Sequence, residues 1–219
     1  MFEVIAERNP ANGWSRYMLA LSAWKSGDRV AAESAFNSVL VIDPKHVKSH
    51  LNLARVMIED GRLRDALAHA EKVVQLDSAS LDGYRLLGQI HGELSNLELA
   101  LIAYNKAISI HPKDAWSMNN MAFLLIQNGR VEEAVGPLAL ATSIEPRNAI
   151  LQNNLGMALE LTGRFTQATS AYKVALAFES GYQKASTSLA RIAGRVDDPK
   201  VGTIDLKVLA ESYAASIKG

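Results

Sequence analysis

The chain contains no cysteine, so disulfide frameworks, thiolate zinc sites and cysteine nucleophiles are excluded, and the redox compartment leaves no mark on it. Net charge is absent too. The 23 Lys and Arg balance 23 Asp and Glu, mixed along the whole length, so no long-range field gathers nucleic acid or an anionic membrane surface. Neither nucleic acid nor membrane insertion is therefore expected. No apolar run approaches the length of a membrane span, and the first ten residues, with Glu3, Glu7 and Arg8 among the apolar ones, do not read as a signal peptide. The expected location is the cytoplasm, or the periplasm if a leader was removed ahead of residue 1. What remains is ordinary for a folded protein: 219 residues, 48% hydrophobic and 21% charged, enough for a sizeable core.

Proline is scarce, yet four of the 6 prolines share one register: stepping by 34 from Pro10 gives Pro10, Pro44, Ser78, Pro112, Pro146 and Ser180. A second series in the same period runs Gly27, Gly61, Ser95, Gly129 and Gly163, and a third, Ala32, Ala66, Ala100, Ala134 and Ala168, never varies. Large apolar residues keep step at Leu19, Leu53, Leu87, Met121, Leu155 and Leu189, each followed by Ala or Gly. A looser bulky series runs Phe36, Ala70, Tyr104, Leu138 and Tyr172.

Within one unit the spacing predicts two helices. Leu151, Leu155 and Leu159 form one helical stripe, Gly163 stops it with a left-handed cap, and Phe165, Ala168, Tyr172 and Ala175 form a second stripe that ends near Ser180. Proline in that last position in other units cannot continue a helix. The small residues sit where the two helices touch closely, and the large ones fill between neighbouring units.

Helix-turn-helix units of 34 residues with this Leu-small, Gly, Ala, aromatic and Pro series resemble the tetratricopeptide repeat family, over about residues 1 to 195. The resemblance implies an all-α fold, a right-handed α-solenoid of antiparallel helix pairs whose first helices line a concave groove. On it, 1–198 form the solenoid, with a half repeat over 1–12, five full repeats over 13–182 and a partial sixth over 183–198, and 199–219 form a C-terminal capping helix. The half repeat suggests a chain cut from a longer protein. Thr203 is expected to cap that last helix, whose stripe of Leu206, Leu209 or Ala210, Tyr213 and Ile217 would cover the open end of the stack.

The same resemblance places Asn52, Arg55, Arg85, Gln89, Trp116, Asn119, Asn120, Phe123, Asn153, Asn154 and Met157 on the groove wall. Asn is costly inside a helix, roughly 0.5 kcal/mol against Ala, yet Asn52, Asn120 and Asn154 recur in phase. A carboxamide both donates and accepts, so these residues either hold the backbone of an extended guest peptide or bond one another between adjacent helices and register the stack. Trp116, Phe123 and Met157 would add apolar contact beside them. The expected role is a non-enzymatic scaffold for a protein or peptide partner, without cofactor or metal. The family's clamp for a C-terminal carboxylate needs basic residues that the closest match, Arg85, Gln89, Asn120, Ile150 and Asn154, does not supply.

A rival reading is assembly. Trp14, Met18, Leu21 and Trp24 make the first complete helix apolar nearly all round, and such a helix is buried either by the residues before it or by a homo-oligomeric partner. A third is an adaptor fragment of a larger enzyme or of a bacterial envelope or pilus-assembly machine. His46 and His50, four apart, have no third ligand beside them and read as packing residues. The spacing from Gly83 to Gly88 lacks the Lys and Ser or Thr of a phosphate loop, and no strand-turn-helix elbow presents a nucleophile. Gly136 and Pro137 fall inside a second helix and predict a bend on its outer side.

Overall fold

A computed structural model describes residues 13–217, so the half repeat expected over 1–12 lies outside the described residues. Among those residues there are twelve helices and no strand. The described residues divide into two compact units, one up to residue 103 and one from residue 104. The first holds α1 (Gly13–Lys25), α2 (Arg29–Ile42), α3 (Val47–Glu59), α4 (Leu63–Leu76), α5 (Leu81–Glu93) and the start of α6 (Leu97–Ile110). The second holds the end of α6, then α7 (Ala115–Gln127), α8 (Val131–Ile144), α9 (Ala149–Leu161), α10 (Phe165–Phe178), α11 (Gln183–Arg191) and α12 (Leu206–Ile217).

Local chemistry sets each boundary. Most first helices start on side-chain caps, α11 being without one: Ser80 accepts from the Gly83 N–H, Asp114 from Ser117 and Asn148 from Leu151, each satisfying a donor the helix cannot. They end on the glycine series, where Gly27, Gly61, Gly129 and Gly163 all have positive φ. Ser95 occupies the fifth place of that series at φ +61°, a conformation that strains any residue with a Cβ. Ser95→Gly is therefore expected to stabilise the chain by about 1 kcal/mol, raising the thermal midpoint by ~2–4 °C in circular dichroism. An unchanged midpoint would show that the turn is not strained.

In the first unit Phe36, Leu53, Val56 and Ile90 lie fully out of solvent, with Ala20, Ala54, Ala66 and Ala70 where helices come close. In the second, Met118, Leu138, Leu159 and Tyr172 take those roles. Burying one such side chain contributes roughly 1.5–3 kcal/mol, so the repeated Leu and bulky series carry most of the packing energy.

His50 does not share a site with His46. His46 caps α3 through Nδ1, which accepts from the Ser49 N–H, whereas His50 is buried against α4. Its Nε2–H donates to the Pro44 carbonyl at 3.1 Å, which leaves Nδ1 to accept from the His69 Nδ1–H at 2.9 Å. Burial, and then the neighbouring His50, hold the pKa of His69 below its ordinary 6.5. The folded state thus binds fewer protons than the unfolded one. This stability is complete above about pH 6.5 and is lost as pH falls from there through the depressed folded value. The thermal midpoint is expected to drop between pH 7 and pH 5, and His69→Gln to flatten that dependence; equal slopes for the two proteins would contradict the pairing.

Beyond α11 the chain turns back across the first turn of α10. Asp197 accepts from the Thr166 N–H at 2.7 Å, Arg164 donates to the Gly202 carbonyl at 3.2 Å, and the Gln167 amide pairs with both backbone groups of Ile204 at 2.8 and 3.1 Å. That last pairing occupies the linker beside Thr203, and the cap of α12 is Asp205, whose carboxylate accepts from the N–H groups of Lys207 and Val208. The seat of the helix also differs from the expected one. It covers an apolar surface, but that surface is the outer side of α8 rather than the end of the stack. The reason lies in α8. Ala139 and Leu140 stand where the other second helices carry Asn37 and Ser38, Glu71 and Lys72, Asn105 and Lys106, or Lys173 and Val174. Gly136 leaves room for the Tyr213 ring, which a Cβ there would meet at 3.5 Å. Pro137 lies within α8, which runs unbroken from Val131 to Ile144.

Candidate functional site

The two units present different inner faces. In the first, the predicted groove residues form a closed polar ladder. Asn52 is 4% exposed, donates to the Tyr17 hydroxyl at 3.1 Å and accepts from Arg55 at 3.3 Å. Arg55 reaches Asp82 at 3.2 Å, Asp82 also meets Arg85 at 3.4 Å, and Gln89 donates to Glu93 at 2.9 Å. With Asn52 buried and both oxygens of Asp82 engaged, this wall offers a guest little unsatisfied hydrogen-bonding capacity.

The second unit is different. Trp116 on α7 is 45% exposed, Phe123 two turns further along the same helix is 43% exposed, and Ile150 on α9 is 51% exposed. Met157 on α9 is half-buried. Trp116 is held edge-on to Tyr104, ring centroids 6.1 Å apart, so its indole is pre-oriented. Between these residues runs a carboxamide relay. Asn153, buried, donates to Asn154 at 3.2 Å, and Asn154 donates to Asn119 across the helix pair at 2.7 Å. Asn120 donates to the Trp116 carbonyl at 2.8 Å.

Both readings of the amides are thus partly visible. Asn52 with Tyr17, and Asn154 with Asn119, make the same cross-helix bond between residues 35 apart, which registers successive first helices. Asn52 and Asn153 are buried and do not present an amide to a guest. The relay nevertheless ends on the Asn119 side-chain N–H groups, and neither these nor the Asn120 side-chain oxygen has a partner among the described residues. A free donor and a free acceptor are the two groups that an extended peptide unit can pair with. Spacing could not assign the partners of these amides: the Asn154 bond to Asn119 crosses to another helix, while Asn120 turns back onto the Trp116 carbonyl of its own helix.

The apolar first helix is mostly turned inward. Tyr17, Leu21 and Trp24 pack on the core of the first unit, and the Tyr17 ring meets Phe36 at a tilt, centroids 5.9 Å apart, and His46 edge-on at 5.0 Å. Met18 is half-buried and Trp14 is exposed. Among the described residues no group of three or more His, Asp or Glu could hold a metal ion, and no helix is long and apolar enough to cross a membrane.

Four family models, each described as tetratricopeptide repeat, match residues 23–90, 81–114, 103–136 and 120–184. The chain is 29% identical over 93 residues to the Hsp70-Hsp90 organizing protein of Triticum aestivum, a match covering 42% of this chain and 16% of that protein. It spans between 11% and 22% of the length of the curated relatives it matches. Among solved structures it resembles MamA, with TM-score 0.69, 24% identity, 78% of this chain and 94% of the other covered. It also resembles YrrB, described as a protein of this repeat class with an unusual peptide-binding site, with TM-score 0.68, 18% identity, and 85% and 96% covered. On the 34-residue register, the paired helices and these matches, the chain belongs to the tetratricopeptide repeat family.

Proposed function

We propose that the chain is a non-enzymatic protein-interaction scaffold that holds an extended peptide segment against α7 and α9. The observation that carries this is that α7 and α9 leave Trp116, Phe123 and Ile150 exposed, on helices that also carry the unpaired donor of Asn119 and acceptor of Asn120. Three large apolar residues clustered on one solvent-facing surface mark an interaction site, and aromatics of this kind anchor partners. The peptide-binding site described for YrrB supports the same mode here. Assembly through α1 has less behind it, since Tyr17, Leu21 and Trp24 already pack on their own core.

The ligand on this reading is a short extended segment. It presents one backbone N–H and one C=O to the amide pair and apolar side chains to Trp116 and Phe123. Selection of binders from a displayed random peptide library, followed by calorimetry on the enriched sequences, tests it. The expected result is enrichment of sequences carrying aromatic or large aliphatic residues whose binding survives Trp14→Ser. Enriched peptides that lose binding on Trp14→Ser would move the site to α1.

A further inference from the structure

The amide relay of the second unit runs in one direction, and that direction is set from its buried end. The cross-helix bond that registers α1 and α3 is closed on both sides, since Asn52 donates to the Tyr17 hydroxyl and accepts from Arg55. The equivalent bond between α9 and α7 is not closed. Asn119 stands in register with Tyr17 and brings a carboxamide where Tyr17 brings a hydroxyl. Its oxygen accepts from Asn154 at 2.7 Å, the Asn154 oxygen accepts from Asn153 at 3.2 Å, and the Asn153 oxygen is buried without a hydrogen-bond partner. Registration alone does not call for an empty buried acceptor, as the closed pairing of Asn52 shows. Turning the three amides over would instead bury both N–H groups of Asn153 unpaired, and orphaned N–H groups are rarer in folded proteins than an under-satisfied carbonyl. The relay therefore runs from Asn153 to Asn119, and Asn119 is left with donors only.

We propose that Asn153 and Asn154 are positioning residues that fix the polarity of the groove: they hold Asn119 as a donor, so the guest must offer it an acceptor, a neutral backbone carbonyl. This rests on the peptide-binding role proposed for α7 and α9, and it names which half of the peptide unit Asn119 takes. The acceptor is neutral because α7 has no charged residue and the one charge of α9, Glu160, is held by Tyr172 and Arg191. Nothing on these two helices would balance a carboxylate. A carbonyl needs no N–H on its own residue, so proline is accepted at that place in the guest. Asn153, 6% exposed, does not touch the guest and acts through Asn154.

Asn154→Asp reverses the relay, because a carboxylate only accepts: it takes one N–H from Asn153 and one from Asn119, turning the Asn119 oxygen outward, and both bonds are charge-assisted. The first arm needs no guest. Side-chain amide exchange in the full chain, followed by NMR, is expected to show both Asn119 N–H groups unprotected in the parent, one of them slowed in Asn154→Asp, and one partly slowed in Asn153→Leu, where the direction is no longer set. The second arm uses a library-selected peptide whose binding Phe123→Ser weakens. Asn154→Asp is expected to bind it about tenfold or more weakly, with a thermal midpoint within about 2 °C of the parent, and Asn153→Leu about twofold more weakly, as half the competent population is lost. Asn119 exchange unchanged in either variant, or binding by Asn154→Asp within about twofold of the parent, would overturn the proposal and leave the groove in place. Selected peptides indifferent to Phe123→Ser would instead remove the groove, and this inference with it.

Discussion

Valine in place of Gly156 is expected to lower the midpoint of thermal unfolding by about 6–12 °C, the largest effect of any single exchange proposed for this chain. A Cβ at Gly156 would stand 2.6 and 2.7 Å from two ring carbons of Tyr172. The ring cannot retreat. Tyr172 is fully buried, its hydroxyl donates to Glu160 at 2.8 Å, and Glu160 is itself held by two bonds from Arg191 at 2.9 and 2.8 Å. Overpacking of this kind costs about 3 kcal/mol, a large share of a typical folding free energy of roughly 5–15 kcal/mol. Tyr172→Leu removes the obstruction, so the double variant should lose less than the sum of the two single losses. Strict additivity, or a Gly156→Val midpoint within 2 °C of the parent, would mean that the helix pair does not pack as described.

The second large effect is on binding. Phe123→Ser is expected to weaken a groove-selected peptide about 30-fold, and Trp116→Ser by a similar factor, each corresponding to the loss of about 2 kcal/mol typical of an aromatic anchor. The two differ in what else they touch. Phe123 is 43% exposed, so its removal should leave the thermal midpoint nearly unchanged, whereas Trp116 also meets Tyr104 edge-on and its loss should cost some stability. This contrast separates a binding effect from a folding one. If Phe123→Ser binds as tightly as the parent, the exposed apolar wall is not the receptor.

The repeat architecture was open to reading because a stack of hairpins solves the same packing problem again at each step. Leu53, Leu87, Met121 and Leu155 recur in one phase since each fills an equivalent gap, and turn glycines recur since each first helix ends in a left-handed residue. The groove wall was half legible. Periodicity put Trp116, Asn119, Asn120 and Phe123 on one face, but Asn119 bonds to the next helix and Asn120 to its own, and no one-dimensional pattern tells which amide turns toward which.

The seat of α12 was misread for a different reason. The apolar stripe of Leu206, Ala210 and Tyr213 shows that the helix must be covered, not by what. The answer was present in α8, where Ala139 takes the place of Asn37, Glu71, Asn105 and Lys173 and Leu140 that of Ser38, Lys72 and Lys106, and only comparison of outer faces in register exposes it. Its cap shifted from Thr203 to Asp205 because Ile204, between them, is held by Gln167. A capping residue must be free to turn its oxygen onto the first helical N–H groups.

The most direct test of the receptor claim is heteronuclear NMR of the full chain titrated with a library-selected peptide, following side-chain amide and indole signals. The Asn119 and Asn120 carboxamide signals and the Trp116 indole N–H are expected to shift together and saturate with the binding isotherm, while Asn52 stays fixed behind Tyr17 and Arg55. Saturable binding that leaves those three signals unmoved would contradict the receptor claim.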